Sequence, residues 1–327
     1  MALVTRHLTA VFALPLTMWQ YIVRRVLQAI FTLFVLSLIT FFVAKVTPGS
    51  PLGLDDPENA AKITPAMRKQ LLEQYDLDKP VPVQYVLWFT KFIRGDLGLS
   101  LTYRNEHVQD ILARTWPISA QLGLIAALLA ISLGMLLGII AAVYRNTIID
   151  YLSMFIAVIG VAVPSFVLAI GLILLFSLTL HWFPVTGWGA PERMVMPIVV
   201  LMLGPLATTA RFTRASMLEV IKQDYVRTAR AKGLLERVVI MRHVLKNALI
   251  PVITVAGPTL AGMLTGSVFV EQIFTIPGVA NAFVGAIGGR DYPMIMAQTI
   301  IFGGLVIFMN LAVDVAYGII DPRIRYS

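Results

Sequence analysis

The sequence predicts an all-α integral membrane protein with six transmembrane helices, and three observations carry that prediction. Hydrophobic residues make up 58% of the chain and charged residues 13%, where soluble domains run at roughly 45–50% and about 25%. Mean hydropathy is +0.81. Six apolar stretches are long enough to cross a hydrocarbon core of about 30 Å, and 327 residues cannot supply the surface to cover that many such helices in a soluble core.

In chain order, the first span is expected from Val26 to Val46, behind Arg24 and Arg25, and the second from Ser119 to Val143. The third runs from Tyr151 to Leu180 and the fourth, polar at its edges, from Met194 to Thr209. The fifth covers Ala248 to Phe274 and the sixth Ile295 to Ile319. Residues 1–17 read as an extension: the apolar patch after Arg6 is short, Pro15 breaks it, and no small-residue cleavage site follows. Residues 18–46 make the cytoplasmic N-terminus and first helix, 47–115 an extracytoplasmic subdomain, 116–315 a core of five helices with a loop at 211–247, and 316–327 the end of the last helix with a tail.

Within the outer segment, Thr64 to Tyr75 reads as a helix with Thr64 as cap and Pro65 at its first position, so that Met67, Leu71 and Leu72 share a face. A second amphipathic stretch covers Gln84 to Ile93, and GDLGLS from Gly95 to Ser100 reads as a turn. This subdomain is expected to pack on a partner rather than gate a cavity.

Charge sets the expected orientation. The segment Arg211 to Lys246 carries nine Lys/Arg against three acids, +6 of the chain's +8. Charge that dense beside membrane spans marks a cytoplasmic face, so the basicity is topological and gives no footprint for nucleic acid. With Arg6, Arg24, Arg25, Arg145, Arg323 and Arg325 on the same side, both termini are expected in the cytoplasm; only Arg193 and Arg290 fall in the short loops opposite.

Gly134 with Gly138, and Gly262 with Gly266, have the spacing of close helix packing. Pro164, Pro205 and Pro258 are expected to kink their spans. Two acids, Glu271 and Asp314, fall within or near the membrane, where a charge is costly and therefore either structurally paired or functional. The functional version makes the chain an ion-coupled secondary transporter, whose inverted repeats are not visible in the sequence.

Catalytic signatures are missing. There is no Gly-Lys dipeptide and hence no GxxxxGK[ST] phosphate loop, no HExxH, no GxSxG and no cysteine. His7, His107, His181 and His243 are scattered without ligand spacing. Energy for uphill transport would have to enter from an ion or another subunit.

The basic segment contains DYVRTARAKGLLERVVIMRHVLKNALIP, Asp224 to Pro251. It resembles the EAA loop of ABC importer permeases, whose pattern is EAA, three residues, Gly, nine residues, then I-x-L-P. Ala229 and Gly233 fall on that pattern and Ile250-Pro251 takes the place of its end, while Arg227 and Thr228 replace the Glu and first Ala. The wording is similar to that of the oligopeptide and dipeptide permease family, as are VTPGSP after the first span, GDLGLS, VPSF at Val163 to Phe166, GSVFVEQIFTIPGV at Gly266 to Val279, RDYP at Arg290 to Pro293 and NLAVDVAYGIIDPRIRY to Tyr326. The resemblance covers nearly everything from Met18 onward, and the long outer segment points to the B-type subunit.

That resemblance implies a type I importer permease: a heterodimer with a second homologous permease, two ABC ATPase subunits that bind ATP and Mg, and an extracytoplasmic substrate-binding protein, with no cofactor in this chain and lipids around it. The helix Asp224 to Lys232 would be the coupling helix. Ala229 and Ala231 would allow close approach, Tyr225 and Val226 would offer an apolar anchor, Arg227, Arg230 and Lys232 would pair with acids, and Gly233 would end the helix in the left-handed conformation. Family substrates are di- and oligopeptides, with relatives that take nickel complexes, glutathione or oligosaccharides; nothing in the spans selects among them.

Overall fold

The structure is a computed structural model that describes residues 18–46, 64–103 and 106–320. The N-terminal extension, VTPGSP beyond Val46, and the tail with Arg323 and Arg325 lie outside the described residues. Helices α1 (Met18–Val46), α2 (Pro65–Gln74), α3 (Val81–Ile93) and α4 (Val108–Val143) come first. Next are α5 (Ile148–Ala162), α6 (Ser165–Leu172, continued by π-helical turns Ile173–Thr179) and α7 (Pro191–Val220). After the short α8 (Asp224–Ala231), helical turns over 236–248 lead into α9 (Ile250–Leu264), α10 (Val268–Ile273), α11 (Val279–Gly288) and α12 (Tyr292–Ile320).

Among the described residues, five stretches are long and apolar enough to cross a membrane: Ile22–Val46, Val108–Val143, Pro191–Val220, Ile250–Ile273 and Tyr292–Val315. The predicted third span is not one rod: α5 and the helix Ser165–Thr179 meet at 105°. Proline is the cause. Pro164 disfavours the helical region for the residue before it, and Val163 is extended at φ −101°, ψ 125°. Pro205 and Pro258, by contrast, lie inside continuous helices.

Helix ends depart from the hydropathy edges. The fourth span was expected to stop at Thr209, yet α7 runs to Val220, so the first part of the predicted 211–247 loop is helix. Between 209 and 220 there is no Gly or Pro to stop it. Likewise α4 begins at Val108, eleven residues before the expected Ser119, and continues through Pro117.

The bundle is centred on α4 and α7, which pack along their length; α5 lies on α7, α9 on α4 and α12, and α1 on α12 at the periphery. A buried cluster of Leu122, Ala126, Met196, Val200, Met263, Phe274 and Ile276 joins α4, α7, α9 and α10. Gly134 and Gly138 make the α4–α7 approach possible. A Cβ on Gly138 would stand 2.6 Å from the Ala210 carbonyl oxygen and 2.6 Å from Thr213 Cβ, and one on Gly134 would stand 2.7 Å from the Leu206 oxygen.

The second glycine pair does not pack this way. A Cβ on Gly262 meets nothing within 4 Å, and Gly266 is a turn residue at φ +88°. Gly138→Val is therefore expected to destabilise the fold by about 1–3 kcal/mol or more through overpacking, and Gly262→Ala to leave it nearly unchanged. Thermal unfolding of the detergent-solubilised chain checks the contrast.

Candidate functional site

At the basic end of the bundle, α8 is an eight-residue helix, too short to be stable alone in water. Its sequence supplies the remedy: Val226 and Ala229, one turn apart, share a face. Both are buried, packed with Ala142 of α4, Met217 of α7, and Val239, Val244 and Ala248 beyond. The Asn247 side-chain amide also donates to the Tyr225 hydroxyl at 2.6 Å. Gly233 closes the helix at φ +76°, its N–H donating to the Arg230 carbonyl at 2.9 Å.

This mounting redistributes the predicted roles. Val226 and Ala229 face the chain's own core, and so hold the helix in place rather than anchoring anything docked on it. Arg230 donates to Glu236 at 3.0 and 2.6 Å, and that pairing holds the Glu236 carboxyl below its usual range. All residues from Asp224 to Gly233 other than Val226 and Ala229 are exposed, Arg230 included, with Arg227 at 3.6 Å from Asp224.

Glu271 in α10 is fully buried. One carboxylate oxygen accepts from Ser119 Oγ at 2.7 Å, the other from the N–H groups of Ala280 at 2.9 Å and Asn281 at 3.1 Å. Ser119 Oγ in turn accepts from Val279 N–H at 2.8 Å. Together they satisfy the first turn of α11, where free N–H groups and the helix dipole favour a negative charge. Gly278 is required beside them, because a Cβ there would stand 2.4 Å from a Glu271 oxygen.

The other predicted acid, Asp314 of α12, pairs with Arg25 of α1 at 2.9 Å. Among the described residues, no group of three or more His, Asp or Glu could hold a metal.

Two polar centres escaped the sequence reading. Asp150, in the first turn of α5, is 1% exposed and receives a two-pronged bond from Arg214 of α7, Nε and Nη2 each at 2.7 Å. At the opposite end of the bundle, buried Asp291 accepts from Ser100 Oγ and, at 3.1 Å each, from the N–H groups of Thr102 and Met294. GDLGLS and RDYP, quoted apart in the sequence, thus form one clasp between the outer segment and the start of α12. The signal that could have found both centres is an acid one or two residues from a helix start.

Comparison with known proteins agrees with this architecture. Residues 134–326 match the family described as binding-protein-dependent transport system inner membrane component, and residues 18–123 match its N-terminal companion. The chain is 43% identical over 308 residues to the dipeptide transport system permease protein DppB of Bacillus subtilis (strain 168), covering 94% of this chain and 98% of the relative. It is 42% identical over 311 residues to the oligopeptide transport system permease protein OppB of Escherichia coli (strain K12), covering 94% and 100%.

A solved structure of the MetNI methionine ABC transporter in an inward-facing conformation aligns with a TM-score of 0.53 at 18% identity, over 64% of this chain and 96% of that one. It supports the fold. The reading as an ion-coupled secondary transporter is overturned by these matches, and both acids it relied on are already engaged, Glu271 in capping α11 and Asp314 with Arg25. The chain belongs to the binding-protein-dependent transport system inner membrane component family, as a multi-pass membrane permease.

Proposed function

We propose that this chain is one of two homologous permease subunits that together form the pore of an ATP-driven importer of di- or oligopeptides. Two ATPase subunits, which bind ATP and Mg, act on the cytoplasmic side, and an extracytoplasmic binding protein delivers the substrate. Both termini and the basic segment face the cytoplasm. The peptide cargo rests on the names of the dipeptide and oligopeptide relatives.

The observation that carries the coupling role is the mounting of α8. Its inner face is fixed to α7 and to the turns leading into α9, so a push on its outer face would move two spans rather than bend a loop. Asp224, Tyr225, Arg227, Arg230, Ala231, Lys232 and Gly233 would meet the ATPase, while Val226 and Ala229 would transmit from behind.

Gly233 offers the test. A Cβ there meets nothing within 4 Å, so only the left-handed backbone at φ +76° resists substitution. Gly233→Val is expected to cost about 1–2 kcal/mol at the helix end, with loss of substrate-stimulated ATPase activity in the assembled complex and normal membrane insertion. Gly233→Asn, a residue that tolerates this conformation, should retain coupling. Unchanged stimulation in the valine variant would count against the assignment.

A further inference from the structure

Helix α3 belongs by sequence to a segment outside the membrane, yet its contacts lie deep. The Phe89 ring meets the Phe34 ring edge-on at 5.7 Å, and Tyr85 meets Phe41 at 5.3 Å. The Tyr85 hydroxyl also bonds Ser37 Oγ at 2.8 Å. Phe34 stands midway along the span Ile22–Val46, about 18 Å from either end at 1.5 Å per residue. In a hydrocarbon layer about 30 Å thick, a helix that reaches this level cannot lie wholly in water.

The rest of α3 is arranged to match. Its polar edge turns to the 76–79 turn, where Gln84 donates to the Lys79 carbonyl at 2.7 Å and Lys91 to Asp76 at 2.8 Å. A third edge is apolar and largely uncovered: Val83, Val86 and Ile93 are 42%, 61% and 68% exposed. Beneath the helix runs an open groove of about 470 Å³ with almost no polar lining, walled by Leu27, Phe31 and Phe34 of α1, Phe89 and Ile93 of α3, and Ile300 of α12. It is continuous with the exposed apolar face of α1, where Leu27, Ile30 and Phe31 are 60–68% exposed.

We propose that α3 is inserted into the membrane from the side opposite the basic segment, descending along α1 from the level of Phe41 to that of Phe34, and that the groove between the two helices holds a phospholipid acyl chain. Its exposed apolar edge would face the acyl chains, while its polar edge is closed by bonds to the 76–79 turn, as polar groups near hydrocarbon require. The occupant is lipid because the groove runs into the exposed apolar side of α1 at the edge of the bundle, and no charged side chain lines it.

The chain has no cysteine, so one introduced thiol, labelled before the chain is assembled with its partners, gives one label. Nitroxides at Val86→Cys and Lys79→Cys are read in the assembled transporter, in nanodiscs of phosphatidylethanolamine and phosphatidylglycerol. At Val86 the ratio of collision with oxygen to collision with a water-soluble nickel chelate should exceed that at Lys79 several-fold. A bimane at Ile93→Cys should be quenched by lipids brominated in mid-chain. Equal ratios at the two nitroxides would place α3 in water, and shielding of Val86 from both reagents would mean a protein covers it; either result overturns the proposal. So would an unquenched bimane, by emptying the groove of acyl chains.

Discussion

Replacing Glu271 with alanine is expected to abolish most of the folded yield, at a cost of several kcal/mol, because three hydrogen-bond donors lose their acceptor at once. The substitution strands Ser119 Oγ and the N–H groups of Ala280 and Asn281, all buried or nearly so. Each orphaned group costs about 1–3 kcal/mol if nothing replaces the acceptor. Glu271→Gln keeps the shape and one acceptor oxygen for the two N–H groups, so its cost should be near 1 kcal/mol and transport should persist. Thermal unfolding and substrate uptake by the assembled complex, measured for both variants, separate the roles. Normal assembly with lost transport in the glutamine variant would show that the carboxylate does more than hold α11 in place.

The sequence made Glu271 visible as an anomaly without showing what it is for. Its main partner, Ser119, is 152 residues away, and no local pattern links the two. The same holds for Ser100 and Asp291, 191 residues apart. What local chemistry decides was readable: the stop at Gly233, the bend at Pro164 and the close approach at Gly134 and Gly138. Helix ends were less so, because hydropathy marks where charge begins rather than where backbone hydrogen bonding stops; α7 carries Arg211 and Arg214 well past the apolar edge. The inward face of α8 was also hidden, since eight residues cannot reveal which side finds a wall behind it.

The pair Asp150–Arg214 fell between these cases, and its loss should be nearly as damaging as that of Glu271. Asp150 stands one residue before the predicted edge of the third span, and Arg214 is one of nine basic residues in the predicted loop. In the fold they tie the start of α5 to α7, ten residues before α8, with Asn146 N–H adding a third bond to the carboxylate at 3.0 Å. Their side chains differ in exposure, 2% for Asp150 and 28% for Arg214, and that difference fixes the expected asymmetry. Arg214→Ala leaves a buried carboxylate with one backbone donor, approaching the 3–5 kcal/mol of a broken buried pair. Asp150→Ala leaves a guanidinium that can turn toward water, so its cost should be smaller. The double variant should cost less than the sum, with an interaction energy of about 0.5–3 kcal/mol in a double-mutant cycle on thermal unfolding. Additive losses would mean that the pair contributes no binding between α5 and α7. Because this tie lies on the helix that carries α8, Arg214→Ala should also weaken substrate stimulation of the ATPase while basal hydrolysis stays intact, which loss of stability alone would not do.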